Sequence, residues 1–253
     1  MLTQFFGHNR LSFETLPSTN TYALELLAGE TPPEGTIVIT GHQTRGRGQK
    51  GNVWTGEQDK NLTFSLILYP HFLQPRELFL ISKMTALAVR TTIAHFLPLQ
   101  ETLIKWPNDI LLGRKKISGI LIENQLEGSH VRTVVIGIGL NVGQVEFPAE
   151  LSHKSVSLAM SMAAPPQVET VLQVLLRQLE DRYIALRSGY RDALHREYYE
   201  FLYAYGELVP IKTGEETLNM RVVGVDEYGR LAAEYEGSLR YFDIKEAGIQ
   251  VQP

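Results

Sequence analysis

Gln43-Thr44-Arg45-Gly46-Arg47-Gly48-Gln49-Lys50-Gly51-Asn52-Val53-Trp54 joins flexible backbone, clustered cations and an aromatic ring, and the rest of the chain reads as its support. Gly46, Gly48 and Gly51 free the main chain for positive φ and let a ligand approach it closely. Arg45, Arg47 and Lys50 place positive charge among them, and Trp54 offers a flat face. The combination suits an anion and a planar ring held together, as in a nucleotide. Residues 46–51 also have the spacing G-x-G-x-x-G, which in a dinucleotide fold opens a helix and precedes an acidic residue about twenty positions on. Here residues 52–60 read as a polar turn, residues 61–68 read as a strand, and the position twenty beyond Gly46 is Leu66. The trailing Val53 mimics a kinase glycine loop, but no His-Arg-Asp or Asp-Phe-Gly follows. Lys50 is followed by Gly51, so the Walker form fails too. Three familiar nucleotide folds are thereby set aside. The plain alternative is a solvated basic turn, with Trp54 in the core as tryptophans beside strands commonly are.

Outward from the loop, alternation predicts strands at residues 10–16, 36–40 and 61–69, the last with Leu62, Phe64, Leu66 and Leu68 on one face. Pro17-Ser18-Thr19-Asn20 breaks the first strand and offers several N-caps to a helix over residues 22–27. Three short polar side chains exceed what one cap uses, so the surplus is free to face a neutral polar ligand. Residues 77–96 carry a helical apolar pattern that stops at Pro98. Residues 102–105 form a strand into Trp106-Pro107-Asn108-Asp109; another strand, a turn at Gly113-Arg114-Lys115 and a strand from Lys116 to Glu123 follow. Pro107 fixes the backbone between Lys105 and Asp109 and can hold a cation and a carboxylate in a set relation, although Asp109 bonding its own backbone in an ordinary turn reads equally well. Of the basic run, Lys116 opens an apolar strand and is the one expected to point inward. Residues 133–136 form a buried strand that ends in a glycine turn over residues 137–143, where Asn141 either meets a ligand or braces the turn. Helices are expected at residues 168–186 and 190–201, followed by four or five short strands that suggest a small barrel. Two domains result, residues 1–204 and residues 205–253.

A chain of 253 residues with 43% hydrophobic content buries one large core, or one core and a small satellite. Its net charge of -4 argues against general nucleic-acid binding, so any cationic site is local. Without cysteine there is no disulfide, thiolate metal site or thioester acyl-enzyme. The first residues lack a secretory h-region and no apolar run approaches the roughly 18 residues of a membrane span, so a soluble cytoplasmic protein is expected.

Taken together and in order, Ser18-Thr19-Asn20, the Gly-Arg-Gly loop ending at Trp54, Lys105 to Asp109, Lys116 to Glu123 and Gly137 to Asn141 resemble the biotin protein ligases. The resemblance is dense between Ser18 and Asn141. It implies an α+β catalytic domain, with a mixed sheet flanked by helices, and a small SH3-like C-terminal barrel. The implied reaction joins biotin to ATP and passes the biotinyl group from biotinyl-5'-AMP to one lysine of a carboxylase carrier domain. By motif matching, Ser18, Thr19, Asn20, Gln43, Gly46, Arg47, Gly48 and Lys116 fall where the family holds biotin. Arg47, Trp54, Lys105, Asn108 and Asn141 fall at the nucleotide, with Trp54 packing on adenine. Arg47, Lys116 and Asp109 are the implied catalytic residues, and Asp109 is also the implied Mg²⁺ ligand. Asp109 as proton acceptor for the attacking lysine and help from the site's positive field both remain open.

Two features depart from the family pattern. Gln49 and Lys50 stand where many members carry two arginines, which removes a charge from the loop. Only 17 residues precede Ser18, fewer than the about 40 a domain usually needs to fold alone. A monofunctional type without a DNA-binding domain is therefore expected; a homodimer is left open. The rivals are a lipoate or octanoate ligase, with an apolar tunnel in place of polar readers, and a nonenzymatic nucleotide-binding adaptor.

Overall fold

Alternation in Leu62-Thr63-Phe64-Ser65-Leu66-Ile67-Leu68 puts Leu62, Phe64, Leu66 and Leu68 on one buried face, and this strand becomes the spine of the molecule. The computed structural model describes residues 3–251, without the side chain of Lys50, so the loop cation expected there lies outside the described residues. In chain order the elements begin β1 (Arg10–Leu16), α1 (Thr19–Gly29), β2 (Ile37–Gln43), β3 (Leu62–Leu68) and α2 (Phe79–Phe96). Next come β4 (Thr102–Lys105), β5 (Asp109–Leu112), β6 (Lys115–Glu127), β7 (His130–Leu140), and two single turns, α3 (Ala149–Ser152) and α4 (Leu158–Ser161). Helices α5 (Val168–Arg187) and α6 (Arg191–Glu200) lead to β8 (Leu208–Thr213), β9 (Glu216–Val225), β10 (Leu231–Tyr235), β11 (Ser238–Phe242) and β12 (Ala247–Ile249).

The first sheet has seven strands in the order β1-β2-β3-β7-β6-β5-β4. Only its β1–β2 pair is parallel; the other neighbours are antiparallel. One face is covered by α1, whose Ala23 and Leu27 pack with Leu16, Val38, Ile67 and Val135. The other face is covered by α2 and α5, and each fully buried Leu or Ile there contributes roughly 2 kcal/mol. This is the expected mixed sheet between helices. Helix α5 also binds the N-terminal segment, because the buried Glu180 carboxylate accepts the backbone N–H groups of Gln4, Phe5 and Phe6 at 2.6 to 2.9 Å.

The second sheet is antiparallel, in the order β11-β10-β9-β8-β12, and forms the small barrel-like unit expected at the C-terminus. Its apolar residues join the main core without a break. The expected turn over residues 137–143 is corrected: β7 continues through Gly137, Ile138 and Gly139 to Leu140, held by ladders to β3 on one side and β6 on the other. These glycines lie in a central strand, where a missing side chain leaves room above the sheet.

Candidate active site

The cleft opens where α1, the loop of residues 44–60 and the corner between β4 and β5 meet over β6 and β7. Its floor is made of Gly119, Gly137 and Gly139. A β-carbon on Gly137 would run into the Asn20 amide, and one on Gly139 into the Trp54 indole. Gly119 is tight as well, with Lys116 Nζ and the Trp54 ring each 3.1 Å from such a position. The floor is bare because functional side chains lie across it.

At one end Ser18 is the N-cap of α1, its hydroxyl facing the Thr21 N–H at 3.4 Å. Thr19 and Asn20 are not caps. They form the first helical turn, are 3% exposed, and turn onto the sheet. The Thr19 N–H donates to Gln43 Oε1 at 2.8 Å, and the Ser65 hydroxyl lies 2.8 Å from Thr19 Oγ1 and 2.6 Å from Asn20 Oδ1. Asn20 Nδ2 donates to the Leu121 carbonyl and to Glu123. Ser18, Thr19, Asn20 and Gln43 all line the cleft. Such a row of short donors and acceptors, held by its own network, is preorganised to read a neutral polar ring.

Charge gathers at the other end. Lys116 Nζ lies 2.5 Å from Asp109 Oδ1 and Lys105 Nζ 3.9 Å from Oδ2, so one carboxylate sits between two ammonium groups. Arg114 and Lys115 are exposed, whereas Lys116 is drawn into the cleft. Burial lowers the pKa of Lys105, with Asp109 opposing and Lys116 adding to the effect. Asn108 Nδ2 donates to the Ile120 carbonyl at 2.8 Å, which fixes the corner against β6. Among the described residues no cluster of His, Asp or Glu gathers to hold a metal, and Asp109 is the one carboxylate lining the cleft. A hard cation bound here would have Asp109 as its one protein carboxylate, and its other oxygens would have to come from a ligand.

The loop folds over this end. Arg47 pairs with Val53 as an isolated bridge, and the Trp54 N–H donates to the Gly46 carbonyl at 3.1 Å. Among its described glycines only Gly51 has positive φ; Gly46 is needed because a β-carbon there would strike the Trp54 carbonyl. Instead of a Rossmann helix there is one 3₁₀ turn, Gln49–Gly51. The Trp54 indole N–H and Gln49 Oε1 are buried without a protein partner, leaving a donor and an acceptor for a ligand in the cleft.

Three sequence-predicted residues do not line the cleft: Gly46, which is buried against the Trp54 carbonyl, Lys105 and Asn141. Lys105 reaches the cleft only through Asp109, and Asn141 is 4% exposed with its amide donating to the Val156 carbonyl at 3.0 Å. Sequence reading missed Ser65 and Glu123. A serine inside an apolar strand was the available signal for the first, and nothing local marked the second.

Residues 12–141 match the model of the Biotin/lipoate A/B protein ligase family, about half of the chain. The chain belongs to that family. The bifunctional ligase/repressor BirA of Bacillus subtilis is 34% identical over 236 residues, covering 92% of this chain and 71% of the relative. The biotin–acetyl-CoA-carboxylase ligase of Mycobacterium tuberculosis is 30% identical, covering 87% and 81%. The biotin protein ligase of Aquifex aeolicus, solved with biotin and ATP, superimposes with a TM-score of 0.79 at 23% identity, over 97% of this chain and 100% of that one. That last likeness establishes the ligase-family fold. No described helix is long and apolar enough to cross a membrane.

Proposed function

We propose that this family member is an ATP-dependent biotin protein ligase, and that the two ends of the cleft divide the work. The carrying observation is a polar row, Ser18, Thr19, Asn20 and Gln43, sharing one glycine floor with the cations Arg47 and Lys116. The polar row reads the ureido ring of biotin. At the charged end the biotin carboxylate attacks the α-phosphate of ATP; an oxygen–phosphorus bond forms, the α–β bridge breaks and pyrophosphate leaves. Two anions meet in that step, so Arg47, Lys116 and Lys105 offset the accumulating charge. Asp109 is the residue that would hold Mg²⁺, which would supply further charge neutralisation. Trp54 packs on the adenine, and Asn108 fixes the corner that presents Asp109.

In the second step the carrier lysine attacks the acyl carbon of biotinyl-5'-AMP, AMP leaves and an amide forms. The amine must first lose a proton, being almost wholly charged at neutral pH with an ordinary pKa near about 10.4. Asp109 is the available acceptor for that proton, and the cationic field of Lys105 and Lys116 separately lowers the pKa of an incoming amine. The loop covers the mixed anhydride and keeps water from it. The acceptor is a biotin carrier domain of a carboxylase, the work is cytoplasmic, and the C-terminal unit from Tyr205 braces the catalytic part.

Radiolabelled ATP–pyrophosphate exchange tests the reading. Exchange that depends on biotin and ignores lipoate supports it. Exchange with lipoate points to the acyl ligase, and ATP binding with no exchange to the adaptor.

A further inference from the structure

Glu123 has no part in the reaction as described, yet it holds two residues on which that reaction depends. It lies on β6 beyond the cleft floor, and its Oε2 accepts from Asn20 Nδ2 at 2.9 Å. Arg47 reaches both of its oxygens, from Nη2 to Oε1 at 2.9 Å and from Nη1 to Oε2 at 3.3 Å. The loop behind Arg47 is closed on itself: the Gly48 N–H donates to the Asn52 carbonyl at 2.7 Å, and the Trp54 ring lies on Gly119 and Gly139. The guanidinium that would meet phosphate therefore already has an anion.

We propose that Glu123 is a positioning residue: the resting counter-ion of Arg47, which pins the glycine loop over the cleft before nucleotide arrives and which the triphosphate must displace. For its substrate this rests on the biotin-ligase reading; for the loop it does not. A contact made only in the unliganded state weakens ligand binding by whatever it contributes to that state. The Arg47 and Glu123 side chains are 47% and 24% exposed, so water screens the pair and the effect is modest, about two- to fivefold.

Asn20 makes the two duties of Glu123 separable. Its amide nitrogen is used by Leu121 and Glu123, so the carboxylate also fixes which way the amide faces. Glu123→Gln leaves an oxygen to accept from Asn20 and removes the charge that holds Arg47. Glu123→Asp keeps the charge on a shorter arm. Glu123→Ala removes both contacts.

Limited trypsin digestion of the unliganded protein, followed by mass spectrometry at Arg45 and Arg47, reads the latch without any substrate. Glu123→Gln is expected to be cut about two- to fivefold faster than the parent, with Glu123→Asp falling between them. In the exchange assay at saturating biotin, Glu123→Gln lowers the KM for ATP by a similar factor without a matching rise in kcat, while Glu123→Ala also weakens biotin binding. Unchanged cleavage in Glu123→Gln, or a raised KM for ATP, overturns the proposal. Faster cleavage in a protein that shows no biotin-dependent exchange sinks the biotin reading and leaves the latch; normal exchange with unchanged cleavage sinks the latch alone. If Glu123→Ala fails to fold, the Gln and Asp variants still carry the test, since they preserve size or charge.

Discussion

At the scale of single residues the cleft is defined as much by absent side chains as by present ones. Gly139 shows why: its hydrogen faces the Trp54 indole, and the same position in Gly137 faces Asn20. Gly139→Ala forces the ring aside, and overpacking of this kind costs about 1–3 kcal/mol. The expected outcome is a KM for ATP raised about tenfold, together with a changed fluorescence of Trp54, while the far-UV spectrum stays that of the parent. Parent-like ATP kinetics and emission would mean that the indole takes no part in the nucleotide site. Lys116 was legible from its place at the head of an apolar strand. Glu123 was not, because its partners lie 76 and 103 positions away along the chain.

Among elements, the corner between β4 and β5 ties the site to the C-terminal sheet. Trp106 is 1% exposed, and its indole N–H donates to the Gly229 carbonyl at 2.9 Å. The turn carrying Gly229 also presses on Phe79, 2.5 Å from where a β-carbon would stand. Trp106→Phe keeps most of the apolar volume but leaves that buried carbonyl unpaired, at a cost of about 1–3 kcal/mol. Thermal unfolding is expected several degrees lower, with exchange activity reduced because the corner presenting Asp109 loosens; an unshifted midpoint would show that the bond contributes nothing. The strands themselves were readable from alternation. The continuation of β7 through Gly137 and Gly139 was not, since glycine weakens a strand and equally marks a bulge, a bend or a close approach. Likewise Ser18, Thr19 and Asn20 read alike in sequence, and only the helix start separated the cap from the two inward-facing residues.

For the molecule as a whole, the junction of α2, α6 and the second sheet buries an ammonium. Lys83 is 1% exposed, its Nζ lies 2.8 Å from His195 Nδ1, and the rings of Phe79, Tyr198 and Tyr199 surround it at 5.0 to 5.6 Å. Burial pulls its pKa from 10.5 down to about 8, with Asp226 opposing. Burial and the Lys83 charge lower the pKa of His195 as well. Between these two Lys83 values the unfolded chain binds a proton that the folded one does not, so stability rises with pH from about 8 to 10.5. Lys83→Met is accordingly expected to flatten the midpoint-versus-pH curve in that window relative to the parent, with a gain of roughly 1–2 kcal/mol near neutrality. Parallel curves for the two proteins would show that the ammonium is not desolvated in solution.

What the amino-acid order determined by itself was local and periodic: strands from alternation, helices from spacing and caps, a cationic glycine loop that fits none of the common nucleotide turns, and the motifs that mark the family. Short-range sterics and the burial of alternate side chains suffice for these, and both can be read from neighbours in sequence. Packing of distant segments brings Asn20 and Arg47 onto the Glu123 carboxylate, Asp109 between Lys105 and Lys116, and Trp54 onto glycines of two other strands. Those contacts depend on sheet register and on the angle at which α1 crosses it, quantities set by the packing of the whole core.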